Sequence, residues 1–239
     1  MAKVGDQLSA ENADWSFGSG TVEHFDAHVS KSVPLYAEGH ELVCALSDFF
    51  IKSESTAYDI GCSTGTLTRK LAQHNVSKYG ARFVGIDIES SMIEMAQRQQ
   101  SMVNLDNVVF IADDVLLIDL EPADLIVCYY TVQFIRPSRR QELISRLYQA
   151  LNWGGALLMF EKVRGPDARF QDMLTALYND YKLEQGYDAN EIITKARSLK
   201  GVLEPFSTQG NLDMLHRAGF VDVMTIMKYI CFEGFIAIK

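Results

Sequence analysis

Five short segments rich in β-branched and apolar residues recur along the chain: "TAYDIG" (56–61), "ARFVGIDI" (81–88), "NVVFIAD" (107–113), "ADLIVCYYT" (123–131) and "GALLMFE" (155–161). Longer stretches with helical spacing separate them, and this alternation restricts the fold more than any other feature. Strands joined by helical crossovers run parallel, with helices on both faces of the sheet. The segments are almost continuously apolar, as strands buried on both sides are. In one intervening stretch, 136–152, Leu143, Leu147 and Leu151 fall at i, i+4 and i+8 on one helical face. Near the C-terminus the runs "VDVMTIMKYI" (221–230) and "FEGFIAIK" (232–239) are separated by one residue. No crossover fits there, so the two pair antiparallel. The expected fold is α/β: a doubly wound, Rossmann-like sheet of seven mostly parallel strands with an antiparallel C-terminal hairpin.

The ends depart from the alternation. Residues 20–52 read as one or two helices joined near Pro34, so 1–52 is expected to be an N-terminal helical cap. The polar segment 164–206 reads as a helical insert, serving as a lid or a subunit contact. A chain of 239 residues with 48% hydrophobic content can bury one large core, and 1–239 is expected to be a single domain.

Function enters at "YDIGCSTGTLT" (58–68). A strand, a glycine turn and a helix start gather backbone N–H groups and a positive helix end at one point. The dinucleotide pattern G-x-G-x-x-G is not met, since Gly61, Ser63 and Thr66 occupy its three glycine positions. The pattern present is D-x-G-x-x-x-G, from Asp59, Gly61 and Gly65. This is the loop of S-adenosylmethionine (SAM) enzymes, with Ser63 in the place of the usual middle glycine. An acid at Asp59 can face the ammonium group of SAM. The second apolar segment ends in Asp87, where a carboxylate can accept from both ribose hydroxyls. The third ends in Asp113 and Asp114, where a side chain can meet the adenine amino group. Each acid alone could equally be a solvated strand end or a helix cap. Loop and acids in this order predict a SAM pocket in a fold of the class I SAM-methyltransferase type.

Charge and cysteine usage narrow the partners. The net charge of −9, with no run of Lys or Arg, opposes direct binding of nucleic acid. No stretch is long enough to span a bilayer, and no signal peptide is read at the N-terminus. Cys44, Cys62, Cys128 and Cys231 are scattered, so neither a metal site nor a disulfide framework is expected, and a cytoplasmic location fits. A small-molecule substrate and a homodimer complete the expectation.

Beyond these common motifs the sequence resembles the carboxy-S-adenosylmethionine synthase family of the tRNA wobble-uridine pathway. The resemblance is carried by "FDAHVSKSVPLY" (25–36), "YDIGCSTG" (58–65), "QFIRPSRRQELISRLYQALNWGGALLMFEK" (133–162), "DYKLEQGY" (180–187) and "LHRAGF" (215–220), and covers residues 20–239. It implies an enzyme that uses prephenate to carboxylate the methyl group of SAM, and a dimer to which the insert contributes. It also implies nucleotide contacts at Tyr36, at Gly61–Cys62–Ser63, at Asp87 with Ile88, and at Asp114 with Val115. Two positions depart from the family pattern. Tyr129 stands where the family has asparagine. The arginine that pairs with the added carboxylate aligns without gaps on Ala196, with Arg197 beside it. A slip of one residue would put Arg197 there, but one residue on a helix is about 100° of rotation.

Among the remaining residues, Tyr36, Tyr129 and Tyr130 could line the sulfonium cation or simply pack. Glu161 is either a substrate acid or half of a pair with Lys162. His28 and His40 read as surface or capping residues. The candidates for catalysis are Tyr129, Tyr130, Glu161 and Arg197, with no base identified. The reading preferred from sequence is methyl transfer from SAM to a small acceptor. Carboxy-SAM synthesis is the alternative, and a non-catalytic SAM-binding protein is the third.

Overall fold

The computed structural model describes residues 2–5, 8–10, 13, 15, 22–103 and 105–239. Two short strands, β1 (Ala2–Gly5) and β2 (Leu8–Ala10), pair antiparallel. The cap is therefore not wholly helical. A single 3₁₀ turn at Val22–His24 leads into α1 (Phe25–Ser32), which stops ahead of Pro34. Leu35 takes a left-handed conformation (φ 56°), and α2 (Tyr36–Ser47) follows it.

The alternating units come next: β3 (Thr56–Ile60), α3 (Thr66–His74), β4 (Arg82–Asp87), α4 (Ser90–Gln100), β5 (Val108–Ala112), β6 (Ala123–Tyr129), α5 (Pro137–Ala150) and β7 (Leu151–Lys162). Pro137 opens α5, where its fixed φ is already helical and its missing N–H has no partner to lose. Leu143 and Leu147 are fully buried on that helix. The helix ends at Ala150, so Leu151 completes the apolar row from the first position of the next strand. The insert forms α6 (Ala168–Glu184) and α7 (Ala189–Ser198). Asp167 caps α6 by accepting from the N–H groups of Arg169 and Phe170, and Asp188 caps α7 in a reciprocal box with Glu191. After α8 (Thr208–Ala218) come β8 (Asp222–Tyr229) and β9 (Phe232–Ile238).

The seven-stranded sheet has the order β5-β4-β3-β6-β7-β9-β8, parallel except for β9, which runs antiparallel to both of its neighbours. Side-chain alternation divides its core into two layers. Leu125, Val127, Leu158 and Phe160 face α2, α3 and α4, in one layer with Val43, Leu71 and Ile93. Ile126, Cys128, Leu157 and Met159 face α5 and α8, with Leu143, Leu147 and Leu215. Both layers are apolar, which accounts for the unbroken hydrophobic runs in the sequence. Strand order reverses at β3, flanked by β4 and β6, and open α/β sheets bind ligands beyond the strand ends at such a point. Above those ends lie α1, α2 and the insert. The hairpin β1–β2 lies against α7, and the N–H of Ala13 donates to the carbonyl of Arg197 (3.0 Å). No helix among the described residues is long and apolar enough to cross a membrane.

Candidate active site

A cavity of about 780 Å³ opens over the C-terminal ends of the central strands. Its near end is built by the turn between β3 and α3. Gly61 has φ +72°, and a Cβ there would lie 2.4 Å from the Thr131 side chain. Gly65 has φ +73°, and a Cβ there would lie 2.4 Å from Phe110. Left-handed backbone and close neighbours leave room for no side chain at either position. Ser63, between them, is also left-handed (φ 49°), so the residue in the usual glycine place keeps glycine's conformation.

The strand-end acids converge on this turn. Both oxygens of Asp87 accept backbone N–H groups, from Ser63 (2.8 Å) and Glu89 (2.9 Å). Burial raises its pKa, while those N–H groups act in the opposite direction. Each carboxylate oxygen keeps a free lone pair for a hydroxyl. Asp59 is 2% exposed and accepts from Thr68 Oγ1 (2.7 Å). Burial, with the charge of Asp87 adding to it, pushes its pKa up to about 7. An ammonium group beside it would draw that value back down. Asp114 accepts from the N–H of Leu116 (2.9 Å), and Asp113 from that of Asp114 (2.7 Å). Ile88 and Val115 line the cavity beside these acids, Ile88 exposed and Val115 buried.

Aromatic rings make the middle of the wall. The ring centroids of Tyr36 and Tyr129 are 5.2 Å apart, and those of Tyr129 and Tyr130 are 4.8 Å apart. Tyr129 donates its hydroxyl to the Tyr36 carbonyl (2.7 Å), reaching over Gly39, where a Cβ would lie 2.1 Å from the hydroxyl oxygen. Two other polar atoms on this wall, Tyr130 Oη and His40 Nε2, are buried with no hydrogen-bond partner among the described residues. His40 is held neutral, chiefly by burial and then by the charge of Lys70, which lower its pKa to about 4. Leaving such groups unsatisfied costs about 1–3 kcal/mol each, so the wall suits a ligand with polar atoms. A glycine cradle, strand-end acids and an aromatic middle fit SAM. Bound there, SAM would supply an electrophilic or acidified methyl group on its sulfonium.

Residues 58–157 match the family model described as a methyltransferase domain. The chain is similar to carboxy-S-adenosyl-L-methionine synthase from Staphylococcus epidermidis, 38% identical over 94% of this chain and 97% of that one. It is similar to the enzyme of the same name from Campylobacter jejuni, at 37% over 94% of each. The chain belongs to the carboxy-S-adenosyl-L-methionine synthase family. Among solved structures, a SAM-dependent methyltransferase of Methanococcus maripaludis shares the fold with TM-score 0.62 and 20% identity, covering 97% of both chains. One from Aquifex aeolicus matches with TM-score 0.59 and 17% identity, over 88% of this chain and 96% of that one. The protein is a SAM-dependent transferase.

Within this carboxy-SAM synthase family member, the residues named from sequence fall in two groups. Tyr36, Asp59, Gly61, Cys62, Ser63, Asp87, Ile88, Asp114, Val115, Tyr129 and Tyr130 all line one cavity, and Gly65 shapes its turn from behind. Glu161 and Arg197 do not line it. Glu161 is buried behind the wall, where one oxygen accepts the Val132 N–H (3.0 Å). Burial, opposed by the charge of Arg140, pushes its pKa up to about 8. It is absent from the cavity lining and forms no ion pair with Lys162 among the described residues. Strand alternation sends the two side chains to opposite sides, and Lys162 lies on the ring of Tyr178 instead. On α7 and its C-cap the cavity-facing residues are Glu191, Ile192, Lys195, Ala196 and Leu199, one helical face. Ala196 is on that face and Arg197 is exposed off it.

Several wall residues escaped the sequence reading. Asp26 of α1 accepts from Thr64 Oγ1 (3.0 Å), tying the cap to the glycine turn. His28 and His40 are buried in the wall, not on the surface. His28 contacts Tyr187 Oη (3.3 Å) and Lys195 Nζ (2.9 Å), both from the insert. Lys162, Tyr178, Lys182 and Cys231 close the far end. The i, i+4 spacing of Tyr178 and Lys182 was the only local signal for them.

Proposed function

We propose that this protein is a carboxy-SAM synthase, joining a carboxyl group to the methyl carbon of SAM. The carrying observation is that the likeness to the family runs through the insert, and α6 and α7 supply the far wall of the SAM cavity. The part that differs most from an ordinary methyltransferase is the part that shapes the substrate end. In the reaction the methyl carbon loses a proton and gains a bond to a carboxyl carbon. With prephenate as donor, loss of its ring carboxyl and ring hydroxyl leaves phenylpyruvate, and the methyl proton leaves with the hydroxide as water. Tyr36, Gly61–Ser63, Asp87 and Asp114 would hold the nucleoside, and Asp59 the ammonium.

One observation favours the rival reading, methyl transfer to a small acceptor. Ala196 faces the cavity where the ungapped alignment puts the family's arginine that pairs with the new carboxylate. Three further properties belong to this proposal. The enzyme acts on free small molecules and not directly on nucleic acid, as its −9 charge supports. Its scattered cysteines support a cytoplasmic location. It works as a homodimer, supported by an apolar stripe exposed on α6 at Phe170, Met173 and Leu177. The test is to incubate the purified protein with SAM and prephenate, denature it, and weigh the ligand released. Carboxy-SAM together with phenylpyruvate is the expected result. Recovery of SAM alone, with prephenate unconsumed, would favour methyl transfer.

A further inference from the structure

The far end of the cavity holds two ammonium groups with no anion. Lys182 is 8% exposed and Lys162 is half-buried, and both line the cavity. Their Nζ atoms lie 4.5 Å and 4.2 Å from the ring centroid of Tyr178. Neither ammonium has an ion pair or hydrogen bond among the described residues. The lysines and arginines of ion pairs such as Lys70–Glu41, Arg82–Glu121 and Lys228–Glu233 are at least one-third exposed, while these two are withdrawn from water and unpaired among the described residues. The charges that reach them are not carboxylates. For Lys182, burial and then Lys162 lower the pKa to about 8, opposed only by the Cys231 thiol. For Lys162, burial and Arg164 lower it, again against Cys231.

Buried cations are ordinarily paired, and an unpaired one is costly. The ring of Tyr178 offsets part of that cost through cation–π attraction, but supplies no negative charge. Position indicates what the pair awaits. Lys162 ends β7 and lies two strands from β3, about 10 Å across the sheet at ordinary strand spacing. The nucleoside acids lie on β4 and β5, on the other side of β3. Tyr130, whose hydroxyl has no partner among the described residues, stands between, with its ring 5.8 Å from that of Phe232, which in turn lies 5.2 Å from Tyr178. The pair is therefore beyond the SAM end of the cavity, on the side of the second reactant.

We propose that Lys162 and Lys182 form a carboxylate-binding subsite, the two ammonium groups together holding and selecting a carboxylate of the second reactant. The inference rests on the reading of the cavity as a SAM site, and serves either a carboxyl donor or a methyl acceptor. It also gives this chain a cationic partner for a carboxylate although Ala196 provides none.

The test is calorimetry in two steps on the full chain. SAM is titrated first. The SAM-saturated protein then receives prephenate, phenylpyruvate, or the uncharged ethyl ester of phenylpyruvate. Expected are binding of both acids and not of the ester, at least tenfold weaker acid binding in Lys182→Met, none detectable in Lys162→Met/Lys182→Met, and recovery to within threefold in Lys182→Arg. SAM affinity stays within twofold throughout. Acids that bind the methionine variants as they bind the wild type, or an ester that binds as well as the acid, would overturn the subsite, as would absence of acid binding to SAM-saturated wild type. Failure of the underlying SAM reading is seen separately, as a missing SAM isotherm before any acid is added. If Lys182→Met is poorly folded, Lys182→Gln takes its place, with a thermal melt showing that each variant is native.

Discussion

The two ends of the cavity carry charge in opposite ways. At the glycine turn, Asp59 and Asp87 are buried acids already supplied with donors, from Thr68 and from the backbone of Ser63 and Glu89. At the far end, Lys182 is a buried and Lys162 a half-buried cation, both supplied with an aromatic face and, among the described residues, no acceptor. The near end is thus complete before anything binds, and the far end is completed only by a ligand. Pre-organised donors and acceptors give affinity at little cost in ordering. An unpaired buried charge gives selectivity, because any reactant lacking the opposite charge leaves the penalty in place.

The sharpest way to break the near end is Asp87→Ala. It removes acceptors for two ribose hydroxyls and for two backbone N–H groups. Charge-assisted hydrogen bonds contribute ~1.5–3 kcal/mol each, so two lost to the ribose weaken SAM binding on the order of a hundredfold or more. Calorimetry reads this directly. Equal affinity in mutant and wild type would show that Asp87 only braces the turn.

The same comparison explains what was legible in the sequence. Gly61, Asp87 and Asp114 end successive strands of one alternating pattern, so their convergence follows from the topology that the pattern dictates. The far end depends on α6 folding back over β7, and nothing local to residues 164–206 fixes that orientation. The burial of His28 and His40 is not legible locally for a similar reason, since it comes from the insert and from Tyr36 and Tyr129 packing around them. Glu161 nearly ends a strand at the right edge, which makes it a candidate from sequence, but alternation turns it behind the wall.

At the far end, Lys182→Met exchanges an unpaired buried ammonium for an apolar side chain of similar length. Replacing buried charge by well-packed apolar groups is often neutral or stabilising by 1–4 kcal/mol. The ligand-free variant is expected to gain about 1–3 kcal/mol at pH 7, a higher denaturation midpoint with unchanged slope. A loss of stability would mean that the Lys182–Tyr178 contact is structural and that the contrast between the ends is false.

Glu161 offers a smaller effect away from both ends. Its folded pKa of about 8 lies above the ordinary carboxylate range, so between about 4.5 and 8 the folded chain keeps a proton that the unfolded chain has lost. Its contribution is fully present at low pH and is lost as pH rises through 8, at up to about 1.4 kcal/mol per pH unit. Glu161→Gln keeps an acceptor for the Val132 N–H and cannot ionise. Relative to wild type it is expected to gain about 1 kcal/mol from pH 6.5 to 7.5 in denaturant titrations, with turnover retained. Lost turnover with intact SAM binding would return Glu161 to the chemistry.

The smallest expected effect decides how the two ends are joined. Arg197 is exposed and off the cavity-facing side of α7, whereas Ala196 is on it. In a protein whose far end is closed by Lys162 and Lys182 alone, Arg197→Ala changes neither SAM nor prephenate affinity by more than about twofold, roughly 0.4 kcal/mol. Ala196→Arg, in contrast, adds a further cation to the wall beside Lys162, Lys182 and Lys195 and is expected to tighten prephenate binding while leaving SAM binding as it is. If Arg197→Ala weakens the acid tenfold, the guanidinium must reach a carboxylate that its own cavity does not offer it. Light scattering across a dilution series then separates two routes. A loss confined to a dimeric state would mean that Arg197 serves the partner's cavity across the subunit contact. A loss in the monomer would mean that α7 turns by about 100° when the acid binds, bringing position 197 to where Ala196 now stands.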